Sequence, residues 1–419
     1  FLTRLTDKIP GINTEAPYHL NFKMEGAYLL PGLNKGTNDQ SYIDDFEQTT
    51  SKISLKEPAA WSLASKPEKN QTNPLFNGAG ANDDVTNGYG RGLVSWYNID
   101  PRFWGVGGKA PTGITAQSVS NHASRRVQFS EIFNNRDFVA GEQTFTNTFD
   151  ISYYPTEKGP YNVNPNPETA LQRWAGIMRP IQVSNFVSSN IEYVEFWMMD
   201  PYADGNNLGT DPKLLLHLGN VSEDILKDGA MQYENGLPTP SQTSSTSNSN
   251  WGTQPKQPPI LYAFSTEGDD RTIQDAGYDG LSSNLENLKF PTSTFVNPVL
   301  GISDPAVDDF VFYMSERFTG NQAASIPQRY KYFRGPEGNS KSNSLEVSSQ
   351  TPDAEDINRD YNLDQSENYN EYVIKLDPAN LTLGQNNIVD VKTVNATFQN
   401  GQTDDVKWYL FRVPVSKYA

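Results

Sequence analysis

Ile191-Glu192-Tyr193-Val194-Glu195-Phe196-Trp197-Met198-Met199 sets Tyr193, Glu195 and Trp197 against Val194, Phe196 and Met198. A period of two over β-branched and aromatic residues predicts a strand with two unlike faces. Leu214 to Gly219 repeats the signal after a turn rich in Gly, Asn and Asp at 204–211, and the two strands with that connection suit a sandwich or a curved sheet. Working outward, Leu93–Ile99, Thr144–Tyr154, Asp309–Tyr313, Tyr372–Leu376, Ile388–Val391 and Val406–Val413 read as further strands. The Thr144 strand is expected to stop at Pro155. Val406–Val413 is apolar on nearly both faces, which predicts a central strand. Helix signals are few: a turn at Ser130–Phe133, and a short helix opened by Ser222 with Glu223 and Asp224 in its first turn. Many strands, few short helices and long loops predict a mainly β chain, a β-sandwich with a jelly roll as first choice.

Towards the N-terminus, residues 1–40 read as an approach segment, with a short strand at Ala27–Leu30 and a turn at Pro31–Gly36. Ser41-Tyr42-Ile43-Asp44-Asp45-Phe46-Glu47 then reads as the half-buried strand that opens one large domain over 41–419. Its three clustered carboxylates need solvent, a cation or basic partners. Within that domain, residues 237–259 are Pro, Ser, Thr, Asn and Gln with almost nothing to bury. That composition predicts a flexible excursion or a surface loop held by its neighbours.

Composition narrows the function classes. The 419 residues carry 33 basic and 50 acidic side chains, a net charge of −17. Nucleic-acid binding is disfavoured, because phosphate contacts need basic clusters. An anionic membrane surface is disfavoured for the same reason. With no cysteine, disulfides and thiolate metal sites are excluded. His19, His122 and His217 stand singly, which argues against a histidine-rich zinc centre. No apolar run approaches the ~20 residues of a membrane helix. The opening Phe1-Leu2-Thr3-Arg4-Leu5 lacks the regions of a signal peptide, and numbering without Met suggests a mature product or an excised piece.

The sharpest chemical signal is Asp356-Ile-Asn358-Arg-Asp360-Tyr-Asn362-Leu-Asp364-Gln-Ser-Glu367. Asp356, Asn358, Asp360, Asn362, Asp364 and Glu367 occupy positions 1, 3, 5, 7, 9 and 12 of an EF-hand-like calcium frame. Tyr361 stands where the frame wants glycine, so a solvated loop docking on a basic neighbour is the alternative reading. Asp275-Ala-Gly277-Tyr-Asp279-Gly280 is a second acidic turn with the same two readings. No Gly-x-Ser-x-Gly, His-Glu-x-x-His or phosphate loop is present, and the chain is expected not to be an enzyme. Trp96, Trp104, Trp174 and Trp251 could stack on sugars or fill a core.

Tyr42–Glu47 with Trp61–Pro67 also resembles the SprA/Sov family, the giant outer-membrane translocons of the Bacteroidetes type IX secretion system. Ordered landmarks continue the resemblance: Tyr153–Asn162, Arg173–Arg179, Asn190–Pro201, Leu218–Asp224, Tyr233–Pro238, Gln274–Leu281, Glu355–Asp360 and Trp408–Pro414. Where the family carries an acidic Asp-Phe-Glu, this chain has Asn185-Phe186-Val187, so no ion site is carried over there. The resemblance implies a non-enzymatic structural and partner-docking region of a very large outer-membrane β-barrel protein. Its work would be export of folded clients to the cell surface, with gliding motility in some species. Other secretion-system proteins and secreted clients are the implied partners, and the outer membrane the implied location, on a face the sequence does not fix. The runner-up is a calcium-stabilised jelly-roll carbohydrate-binding module on the cell surface.

Overall fold

The computed structural model describes residues 52–68, 74–76, 80–133, 138–183, 185–186, 188–333 and 351–415. The approach segment 1–40 and the expected strands at Ala27–Leu30 and Ser41–Glu47 lie outside them. Phe1–Lys52 and Ile53–Ala419 form two units, and the elements that follow belong to the second.

In chain order the regular elements begin with β1 (Ser62–Leu63), β2 (Gly92–Tyr97), β3 (Val127–Gln128), α1 (Phe129–Ile132), β4 (Phe145–Thr146), β5 (Asp150–Lys158) and β6 (Ile177–Met178). They continue with β7 (Tyr193–Met199), β8 (Lys213–Asn220), β9 (Thr246–Asn248), β10 (Thr253–Pro255), α2 (Asp270–Gln274) and α3 (Ser283–Lys289). The last are α4 (Gly320–Ala324), α5 (Ile326–Arg329), β11 (Asn368–Lys375), β12 (Ile388–Thr397) and β13 (Thr403–Pro414). The chain is mainly β, as its periodicity predicts. Among the described residues the sheets are small and antiparallel, the largest being the three-stranded β12-β13-β7. A jelly-roll arrangement is not confirmed by sheets of this size.

β13 is the central strand of its sheet, and its alternation explains why. Tyr409, Phe411 and Val413 point into one cluster with Tyr372, Ile374 and Ile388, while Val406 and Trp408 point into another with Val127, Ile132 and Ala396. A strand buried on both faces has no solvated side to present as an edge. β7 and β8 do not pair with one another, contrary to the expected two-strand unit. β7 lies against β13 and β8 against β11, but Val194, Phe196 and Met198 meet Leu214, Leu216 and Leu218 at the same apolar cluster. Adjacent in sequence, they share a core instead of a ladder.

Three further expectations are corrected. The Thr144 strand is broken at Asn147–Phe149 and does not stop at Pro155; β5 runs on to Lys158. Leu93 pairs with Tyr154 but Gly92 with Lys158, so Pro155 falls in a register shift where no ladder N–H is required of it. Ser222–Leu226 forms no helix. There the Asp224 carboxylate accepts the Asp228 and Gly229 amides and the Glu223 carboxylate accepts those of Ile357 and Asp364, which ties the segment into turns. Asp309–Tyr313 is irregular, joined to Tyr332 by the amide of Val311. The low-complexity stretch 237–259 carries the hairpin β9–β10 and the fully buried Trp251.

Candidate functional site

The six oxygen-bearing residues of the 356–367 loop are mostly engaged with their own backbone. The buried Asp356 carboxylate accepts the amides of Asp360 and Tyr361, each at 3.0 Å, and the Tyr262 hydroxyl. Asn358 Oδ1 accepts the Asp360 amide at 2.9 Å, and Asp360 Oδ1 accepts the Asn362 amide at 2.8 Å. Asn358 Nδ2 donates to Asp364 at 3.4 Å, and Glu367 Oε2 accepts the Glu68 amide at 2.8 Å. Tyr361, at the glycine position of the calcium frame, is left-handed at φ 64°. β11 follows the loop where an EF-hand has a helix. The sequence frame is thus a run of side-chain-capped turns, and it brings Asp356, Asn358 and Asp360 together at its start.

Two tighter carboxylate groups form where no linear motif points. In the first, Asp224, Asp228 and Glu355 offer oxygens within 4.8 Å of one another. Every one of these oxygens has a donor. Asp224 takes the amides of Asp228 and Gly229 and the Gln365 side chain; Asp228 takes the Ala230 amide with Gln232 and Gln254 side chains. Glu355 takes the Ile225 and Leu226 amides on one oxygen and the Gln232 amide on the other. Donors placed this completely make a structural knot joining the β8 exit to the approach of β11.

The second group is Asp279, Glu286 and Asp308, likewise within 4.8 Å, and 1%, 0% and 1% exposed. Asp279 sits in the Asp275–Gly280 turn, Glu286 on α3, and Asp308 on the loop after Ser303. Asp279 Oδ1 accepts the Leu281 amide at 2.9 Å, and Glu286 Oε2 accepts the Ala306 amide at 2.9 Å. Asp279 Oδ2, Glu286 Oε1 and both oxygens of Asp308 have no hydrogen-bond partner. Neighbouring Asp304 is also buried and caps its own loop, accepting the Asp308 amide at 3.2 Å. Lys289, whose charge acts favourably on Asp279, gives its ammonium to the Ser249 carbonyl at 3.0 Å. Burial first, then the like charges around them, push Asp308 well above the usual carboxylate range and Glu286 up to about 9. Burial also raises Asp279.

The walls are aromatic and close. Tyr161 Oη accepts the Tyr278 amide at 2.9 Å, and the two rings lie 5.6 Å apart. Gly277, at φ 68°, lets Asp308 pass: a Cβ there would stand 2.1 Å from Asp308 Oδ2. Tyr161, Tyr278, Leu281, Phe290 and Ala306 belong to one core cluster with Trp251. Trp96, Trp174 and Trp251 are themselves buried, so they supply no exposed platform for a sugar.

Of this second group, sequence reading singled out only Asp279. Asp308 could have been found from its place in Pro305-Ala306-Val307-Asp308, an acid inside an apolar run. Glu286 gives no such signal, because an acid within a short polar helix is ordinary.

Residues 287–419 match the SprA_N family model, described as a motility related/secretion protein. No curated protein matches the chain. The matched stretch holds Asp304, Asp308, Glu355, the 356–367 loop and β11 to β13; Asp279 and Glu286 precede it. A motility and secretion-related role, and a place in the cell envelope, agree with this family. No helix among the described residues is long and apolar enough to cross a membrane.

Proposed function

We propose, from the match of residues 287–419 to the SprA_N family, that this chain is a structural and partner-docking region of a type IX secretion translocon in the outer membrane. It is a non-enzymatic region of a much larger protein, and its partners are other secretion-system proteins and the folded clients that pass to the cell surface. The family match is the observation that carries this reading, and the ordered landmarks outside the match support it. The net charge of −17 also suits a surface beside a protein path, because like-charged clients stick less to it. Removal of the coding segment for residues 287–419 from source cells tests the reading. Loss of secreted proteins from the medium, with the clients retained inside, is the expected result; unchanged export contradicts it.

Calcium in the 356–367 loop belongs to the same proposal, held by Asp356, Asn358, Asp360, Asn362, Asp364 and Glu367. Calcium-dependent protection of this loop from protease, lost in Asp364→Ala, is the outcome expected of it. Equal cleavage with and without calcium sinks that part alone.

A further inference from the structure

The Asp279, Glu286 and Asp308 group differs from every other buried acidic contact described above in one respect. Around Asp224, Asp228 and Glu355 the backbone and glutamine side chains supply a donor to each oxygen. Glu234, also buried, accepts the Gly277 amide on one oxygen and the Asp353 amide on the other. In the Asp279 group one oxygen from each of the three carboxylates lies within 4.8 Å of the others, four oxygens of the group have no donor, and Asp308 has none on either oxygen while being 1% exposed. Leaving such groups buried and unmatched is costly, and native proteins pair them or coordinate a metal.

The geometry points to a site for a hard divalent cation, calcium by its ligands, held by Asp279, Glu286 and Asp308. Oxygens within 4.8 Å of one another can all touch one ion, since calcium–oxygen bonds are about 2.4 Å and span twice that across the centre. All-carboxylate ligation with no imidazole or thiolate favours calcium or magnesium over zinc. Calcium is preferred because the ligands come from a turn, a short helix and a loop, a set without the fixed octahedral geometry that magnesium demands.

The fold aims these ligands with some effort. Val307, a β-branched residue at φ 58°, turns the chain so that Asp308 faces inward. Asp304 holds the same loop through the Asp308 amide, and so acts as a positioning residue. The ion would pin three segments that no ladder joins: the 275–281 turn, α3 and the loop 303–309. This site is independent of the 356–367 loop and of the secretion reading.

Thermal unfolding of the full chain, stripped with EDTA and then returned to calcium, tests the site. Calcium is expected to raise the midpoint by several degrees, in a concentration-dependent way, because it binds the folded state alone. In an Asp364→Ala background, which removes any response of the 356–367 loop, calcium should still raise the midpoint; adding Asp308→Asn and Glu286→Gln, both isosteric and both relieving like-charge repulsion, should leave a folded chain without that response. Terbium supplies a second readout in the same Asp364→Ala background. Excitation of Tyr161, Tyr278 and Trp251 should sensitise its emission, and calcium should quench it by competition. No midpoint shift and no sensitised emission in the Asp364→Ala chain overturns the site, as does a calcium response that survives when Asp308→Asn and Glu286→Gln are added to it.

Discussion

Arg125 and Glu131 meet through two parallel bonds of 2.6 Å, both side chains buried. Glu131 also accepts the Gln128 amide at 2.9 Å and the Trp408 indole N–H at 3.3 Å, so one carboxylate joins β3 and α1 to β13. Breaking a buried pair strands the other charge, which costs about 3–5 kcal/mol. Arg125→Met should therefore destabilise the chain by about that amount in urea unfolding. Asp150 shows the opposite balance. It is half-buried with a single hydroxyl donor, Thr148 at 2.7 Å, and burial pushes its carboxyl up to about 6. An acid raised in the folded state favours folding while protonated. Its contribution is whole below about pH 4, the unfolded value, and is lost as pH rises through about 6. Asp150→Asn should flatten the stability profile between those limits, by no more than about 3 kcal/mol. A profile as steep as that of the wild-type chain would place the titration elsewhere.

At the scale of elements, β13 shows what periodicity can and cannot say. Phe411 lies opposite Phe196 in register, the rings stacked at 5.2 Å, and is fully buried. Phe411→Ala should cost about 3–5 kcal/mol. Val389→Ala, at a position 44% exposed on β12, should change stability by less than about 0.5 kcal/mol, and equilibrium unfolding compares the two. Alternation made β7, β8, β11, β12 and β13 legible, and the doubly apolar run marked β13 as central. Partner choice was not legible, because a strand's own pattern names its buried face and not its neighbour. That is why β7 and β8 read as a pair and turn out to share only a core. The Ser222 segment failed as a helix because Glu223 reaches the amides of Ile357 and Asp364, and no local signal records a partner more than a hundred residues away. The second carboxylate group was hidden for the same reason: Asp279, Glu286 and Asp308 become neighbours only after the core around Tyr161 and Trp251 has formed.

For the whole molecule, the SprA_N match over residues 287–419 supports a role related to secretion or motility. A calcium pin at Asp279, Glu286 and Asp308 would couple the stability of the fold to the ion content of its surroundings. A chain that is a region of a secretion translocon, as proposed above, resides in a much larger outer-membrane protein. An immunoblot of fractionated source cells, with an antibody raised against this chain, tests it most directly. A band far above 46.7 kDa in the outer-membrane fraction is the expected result. A band near that mass in medium or periplasm would contradict it.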